Sequence, residues 1–438
     1  MMRSWMNLSS RKRLGCFVDF AGMYNGWSRQ EVAQALGREA SKLIPDSGNP
    51  KLDLLMALAD AMDWDPGQVA KCVWEGGLRS EPPPPSTPRS GDEIVAEAAI
   101  TELEEQWHRL GKLACELQAC ATTGTQRAQA WHWRARASMG DGRFREALRH
   151  AQAGICEVHS ADRLQTLLMR DLAQAHDALG HLVESGSIAT EIIGRLGSGP
   201  HELEQREALA DSFWLRGNSS RRRIDSDPGT AVQRAADASA DLCAARHAYE
   251  TLSRETSGIR AQAMAHRCAG ALVECEAAIG IIGPEAAVQR VEETLGLVVD
   301  VEEFPAGEWL ESHGWWAVFG CSIAYRGLCA APLQRAMAVF TNKAAEIAER
   351  VDSWTLRERA FSLEYLRRER ATSDAGVPAQ WILEQEELRT VIGAIGRFPA
   401  FSDVGLEILA SAAPLQRKAS RARASASRSA GTREFSRG

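Results

Sequence analysis

Residues 26–69 read GWSRQEVAQALGREASKLIPDSGNPKLDLLMALADAMDWDPGQV, and their caps and spacing set the fold of the first part of the chain. Ser28 precedes an apolar-periodic run and Glu31 follows three positions later, the pattern of a reciprocal capping box. The helix it opens places Val32, Ala33 and Leu36 on one face and stops at Gly37, which takes the left-handed C′ conformation without steric cost. A second short helix is expected with Ala40 and Leu43 inward and Glu39, Ser41 and Lys42 outward, ended by Pro45. Asn49-Pro50 opens a third helix, since Pro fits a first turn whose N–H has no partner. Leu52, Leu55, Leu58, Ala59 and Met62 form its inward stripe. Asp65-Pro66 starts one further turn, with Val69 inward, and Phe17, Phe20 and Tyr24 line a preceding helix.

WSRQEVAQALG resembles the opening of Cro/phage-repressor type (xenobiotic-response-element type) helix-turn-helix domains, and SGNPKLDLLMALADAMDWDPGQV resembles their closing half. In that family the helix after the Gly enters the major groove, and the start of the preceding helix touches phosphate. The resemblance therefore implies DNA contacts from Arg29, in place of the family's phosphate-binding Gln, and from Ser41 and Lys42, in place of its groove-facing Ser and Arg, with Arg38 in support. The stretch between Gly37 and Pro50 is shorter than the family pattern by about three residues, most of a helical turn. Glu39 and Asp46 also bring negative charge to where phosphates lie. A helical domain that keeps this architecture for docking or dimerisation is the alternative.

The whole chain has 438 residues, 45% apolar and 25% charged, with a net charge of −7. That length holds two or three domains, and the charge opposes general coating of nucleic acid, so any DNA contact must be local. Ten cysteines lie scattered without a C-x-x-C pair, which reads as buried thiols in a reducing cytoplasm. The apolar segment 314–331 is broken by Arg326 and reads as a core helix, with no membrane role.

The domain boundaries follow composition. Residues 1–78 form the helix-turn-helix domain, and 79–91, with Pro82 to Pro85 in succession, a semi-rigid linker. Residues 92–410 form a helical repeat domain. Its first helix is expected to be long, carrying Leu103, Trp107, Leu110, Ala114 and Leu117. Trp131, Ala135, Gly142, Phe144, Ala147, Ala151 and Gly154 then resemble a tetratricopeptide repeat, echoed 38 positions on by Met169, Ala173, Gly180, Leu182, Ser185, Ala189 and Ile192. Small residues let paired helices approach, the glycines turn the chain, and each pair must stack on the next. Further helices are expected at 202–216, 231–253, 258–279, 284–298, 308–328, 332–351, 354–372 and 378–395, with Arg221-Arg222-Arg223 in a solvated loop. The tail 411–438, rich in Arg, Ala and Ser, is expected to be disordered.

No catalytic motif is present: there is no G-x-x-x-x-G-K-[ST], G-x-S-x-G or H-E-x-x-H. His108, His132, His150, His176 and His247 have no partners at metal-ligand spacing, so no metal, cofactor or enzymatic role is implied. Trp309, Trp315 and Trp316 read as core, or as an aromatic lining for a bound peptide. The sequence thus predicts an all-α protein, a small helix-turn-helix bundle followed by a tetratricopeptide-like α-solenoid. It resembles bacterial cytoplasmic regulators that bind double-stranded DNA, often as homodimers, under control of a peptide or protein held by the repeats. A protein-interaction scaffold with a degenerate helix-turn-helix is the competing reading.

Overall fold

The computed structural model describes residues 10–45, 50–62, 66–74, 89–157, 162–197, 202–375 and 381–412. The expected linker core and the basic tail from 413 lie outside them. The described residues are all-helical, and the chain divides into two compact units, Met1–Arg89 and Ser90–Gly438.

The first unit holds α1 (Ser10–Asn25), α2 (Arg29–Ala35), a 3-10 turn (Ala40–Lys42), α3 (Leu52–Met62) and α4 (Pro66–Trp74). The capping box forms as its sequence dictates: Glu31 N–H donates to Ser28 Oγ at 3.4 Å, and Ser28 N–H to Glu31 Oε2 at 2.7 Å. Gly37 has φ +63°. Around it the Arg38 N–H reaches Ala33 O at 2.8 Å and the Gly37 N–H reaches Gln34 O at 3.1 Å, the paired bonds of a Schellman motif. Leu14, Phe17, Val18, Val32, Leu36, Leu43, Leu55, Leu58, Val69 and Val73 make one core.

Two local expectations shift. α3 starts at Leu52 with Pro50 buried just ahead of it, and Leu52 is 69% exposed while Leu54 is buried. As the first helical residue, Leu52 overshoots the edge of the core. The expected second helix is a single 3-10 turn, because only a few residues separate the Gly37 cap from Pro45. Residues 46–49, and with them Asp46, lie outside the described residues, as do the side chains of Phe20, Tyr24 and Met62.

The second unit runs α5 (Gly91–Leu103), α6 (Trp107–Cys120), α7 (Gly124–Gly140), α8 (Phe144–Glu157), α9 (Asp162–Ala178), α10 (Leu182–Leu196), α11 (Leu203–Arg222) and α12 (Ala231–Thr256). It continues with α13 (Ile259–Ala278), α14 (Pro284–Leu295), α15 (Glu308–Gly327), α16 (Ala330–Arg350), α17 (Trp354–Ala375) and α18 (Gln385–Arg397). The repeat signature holds in detail. Gly142 and Gly180 turn the hairpins at φ +69° and +82°, and Ala135, Ala147, Ala173 and Ala189 are fully buried. The expected long first helix is instead two, α5 and α6. Glu105 sits at φ +54° and the Gln106 N–H bonds Thr101 O at 3.1 Å, a left-handed stop made without glycine.

The helix expected over 202–216 runs on to Arg222, so Arg221 and Arg222 are helical and Arg221 is buried. α15 is buried on nearly every side, as befits a helix apolar all round at the centre of a core. No helix among the described residues is long and apolar enough to cross a membrane.

The helices stack in two rows. α7, α9, α11, α13 and α15 each touch the next odd-numbered helix, up to α17, whereas α8, α10 and α12 meet mainly their chain neighbours. Helices that crowd together line the inner side of a curved stack, so the odd-numbered row is the inner one. Finally, Trp381, Leu383, α18, a 3-10 turn (Pro399–Phe401) and the helical residues 402–412 return to pack on Phe144 and Leu179 of the first two hairpins. Phe144 and Phe398 stack at 5.1 Å between ring centroids, and a Cβ at Gly142 would lie 2.8 Å from Trp354.

Candidate nucleic-acid interface and ligand groove

In the first unit, the four residues expected to meet DNA fall on the surface but not as a free basic patch. Arg29 opens α2 and is exposed, and its side chain makes no hydrogen bond or ion pair among the described residues. Ser41 is exposed on the 3-10 turn. Lys42 beside it is held by Glu39 at 2.8 Å. Arg38 donates twice to Asp53 of α3, at 3.1 and 3.0 Å. Both ion pairs are well exposed and contribute little stability. Their effect is on charge: two of the three cations carry an adjacent carboxylate that would have to yield before a phosphate approached.

In the second unit, polar and charged side chains converge along the inner row, and their composition gave no sign of it. Glu102 of α5 accepts from Trp133 Nε1 at 3.1 Å and Arg136 Nε at 2.9 Å, both on α7. Arg136 continues to Gln174 Oε1 at 3.4 Å, and Gln174 donates to Asp211 Oδ2 at 3.1 Å. Asp211 also accepts from Tyr249 OH at 2.5 Å and faces Arg260 at 3.7 Å, which in turn faces Glu308 of α15. Beside this line His132 Nδ1 meets Asp171 Oδ2 at 2.5 Å, both buried. Farther along, Asn218 donates to Asp177 at 3.1 Å, and Arg221 bonds both Asn218 and the fully buried Glu274.

Burial alone would raise the Asp171 carboxyl; the charge and hydrogen bond of His132, with Arg170 behind them, outweigh it and hold it below the usual range. Burial and the neighbouring Asp211 push the Tyr249 phenol well above its ordinary value. Burial also dominates at Glu308, which rises to about 7 although Arg260 opposes the shift. Low-dielectric ladders of this kind are rigid when satisfied and costly when broken.

The rungs explain what a reading for small residues overlooked. His132 to Asp171, Arg136 to Gln174, Gln174 to Asp211 and Asp177 to Asn218 span 39, 38, 37 and 41 residues, one repeat period each. The 38-residue register that aligned Ala135 with Ala173 also set Arg136 beside Gln174. Polar residues recurring on that register were the available signal.

Other expectations resolve as follows. His132 is a ladder member, and His150 is half-buried against Trp131. Trp315 and Trp316 are core residues, while Trp309 stacks on His266 at 4.8 Å. Of the described cysteines, Cys268, Cys275 and Cys321 are buried, but Cys115, Cys120, Cys156, Cys243 and Cys329 are exposed, contrary to the expectation that these thiols lie inside. Cys115, Cys120, Cys156 and Cys243 fall on the solvent faces of helices and Cys329 caps α16, which scattered spacing alone does not distinguish from core positions. No cluster of three or more His, Cys, Asp or Glu among the described residues is placed to hold a metal ion.

Two histidines make acid sensitivity predictable. Burial, aided by nearby arginines, lowers His150 to about 4, and burial with His313 beside it lowers His266 to about 4, from 6.5. Between those values the unfolded chain binds more protons at these two sites than the folded one, so their contribution is complete above pH 6.5 and declines toward pH 4, while the raised Glu308 carboxyl opposes the decline between about 7 and 4.5. Thermal melts across that range should show the midpoint falling, and His266→Gln should flatten the fall; identical pH profiles for the variant and the parent contradict the assignment.

No family model and no curated protein matches this chain. The crystal structure of Bacillus thuringiensis PlcR in complex with the peptide PapR7 and DNA superposes with a TM-score of 0.33 and 12% identity, over 65% of this chain and 95% of that one. A superposition that loose carries no weight for fold or function, which rest on the geometry described above.

Proposed function

We propose that the chain is a DNA-binding regulator whose repeat unit receives a peptide or protein segment along its inner row. The observation that carries this reading is the polar ladder. Four inner helices, α7, α9, α11 and α13, contribute Arg136, Gln174, Asp177, Asp211, Asn218 and Arg260 to one face, and side-chain amides and carboxylates in a groove suit the N–H and C=O groups of an extended chain. For the first unit, support comes from the helix-turn-helix order of α1 to α4 and from the exposed Arg29, Ser41 and Lys42. Ligand binding that reshapes the repeat stack would then bias the spacing of paired heads in a homodimer.

Mobility shift on genomic fragments at low salt tests the DNA half. Binding is expected, and Arg29→Ala with Lys42→Ala should weaken it and reduce the slope of log K against log salt by about 1, the unit lost with the Arg29 phosphate contact. No shift on any fragment retires the regulatory reading. A specific observation favours the second reading, a protein-interaction scaffold: Arg38 and Lys42 are already matched to Asp53 and Glu39, and the turn between Gly37 and Pro45 is one 3-10 turn. Under that reading Asp53→Ala leaves DNA affinity at background, whereas under the first it raises affinity by freeing Arg38.

A further inference from the structure

Along the inner row Arg136, Arg170, Arg221, Arg222 and Arg260 each have a carboxylate within 4.0 Å. Arg267 of α13 has none among the described residues. Its guanidinium lies over two indoles, 3.8 Å from the ring centre of Trp315 and 4.6 Å from that of Trp214, both buried. Contact with two aromatic rings leaves the N–H edge of the guanidinium for a partner. Nε is buried without a hydrogen-bond partner, yet the residue as a whole is only half-buried, so its edge is within reach from outside.

The carboxylates that act on this cation are committed elsewhere. Glu311 accepts from Trp315 Nε1 at 3.3 Å and Ser353 Oγ at 2.9 Å, and Asp177 serves Asn218 and Arg222. Burial lowers the Arg267 pKa, with Arg221 adding to it. A partly desolvated, unpaired cation on an otherwise neutralised face is costly unless an anion completes it.

We propose that Arg267, walled by Trp214 and Trp315, is a receptor for one carboxylate of the segment bound along the inner row. The inference rests on the reading of that row as the ligand face. A planar carboxylate matches the guanidinium edge with two parallel N–H···O bonds. A phosphate would ask for a second cation, and the neighbouring Arg221 is already spent on Glu274 and Asn218. The carboxylate comes from a chain terminus or from an Asp or Glu side chain.

The test passes two synthetic random-hexapeptide pools, one with free and one with amidated C-termini, over the immobilised full-length chain. Parallel columns carry Arg267→Gln and Arg267→Lys. At least tenfold preferential retention of free-acid peptides, lost on Arg267→Gln and weakened on Arg267→Lys, supports a terminal carboxylate. Selection of Asp or Glu at one position within the amidated pool, equally dependent on Arg267, supports a side-chain source. Should Arg267→Gln fail to melt cooperatively, the wild-type contrast between the pools still decides. Retention that ignores both the terminus and acidic residues overturns the carboxylate receptor while leaving the ligand groove standing. If neither pool is retained at all, both the receptor and the groove fall. Inorganic phosphate that elutes the retained peptides at lower concentration than acetate overturns the assignment of anion class.

Discussion

Replacing Glu274 with alanine is expected to destabilise the repeat unit by about 3–5 kcal/mol, the usual consequence of removing one partner from a buried ion pair. Glu274 has no exposed side-chain surface and meets two cations. Arg221 bonds one oxygen, and Arg326 bonds the other at 2.8 Å. Without it Arg221 keeps only the Asn218 carbonyl oxygen, at 2.7 and 3.2 Å, and its guanidinium remains over the ring of Phe319. Arg326 retains the exposed Asp225, so most of the loss falls on Arg221. Urea unfolding measures the effect as a drop in midpoint with unchanged slope. Glu274→Leu combined with Arg221→Met should recover much of it, since a packed apolar pair often matches a buried ionic one. A single-variant loss below about 1 kcal/mol would place Glu274 among ordinary surface positions.

Leu58→Ala in the first unit is expected to cost about 2–5 kcal/mol, as deletion of a fully buried Leu side chain generally does. Leu58 is fully buried at the meeting of α1, α3 and α4. Small units bury a low share of their surface and have little stability to spare. The first unit should therefore unfold while the second stays folded, which limited proteolysis registers as cleavage confined to residues 10–74 with the repeat fragment surviving. DNA retardation, where present in the parent, should vanish with it. Leu52→Ala on the same helix is the control. At 69% exposure it should move stability by no more than about 0.5 kcal/mol.

These contrasts mark where sequence reasoning reached and where it stopped. Local signals were legible: Ser28 with Glu31, Gly37, Gly142 and Gly180 all sit where cap and turn chemistry puts them. The inward residues Val32, Leu55, Leu58 and Val69 follow from helical period alone. The break at Glu105 was not legible, because a left-handed stop usually advertises itself with Gly or Asn and here uses Glu. Arg221 looked like a solvated cation because its counterion, Glu274, stands 53 residues away. The ladder was hidden for the same reason: each rung joins residues a full repeat apart, and pairs at that distance are invisible until the stack is built. Arg29, Ser41 and Lys42 are exposed, but the ion pair that engages Arg38 depends on how the turn after α2 meets Asp53 of α3.

The return of residues 381–412 to the first hairpins has a consequence for how this unit comes apart. An open array of hairpins frays from either end, one module at a time, because each module answers only to its neighbours. Here Phe398 and Phe401 are buried in the same cluster as Phe144 and Leu179, so the hairpins from α7 onward are tied to the last described helices. Melting must be closer to all-or-none, and assembly must wait for a pairing across more than two hundred residues, which slows folding. Clipping the chain after residue 375 should convert one sharp transition into a broad, stepwise one.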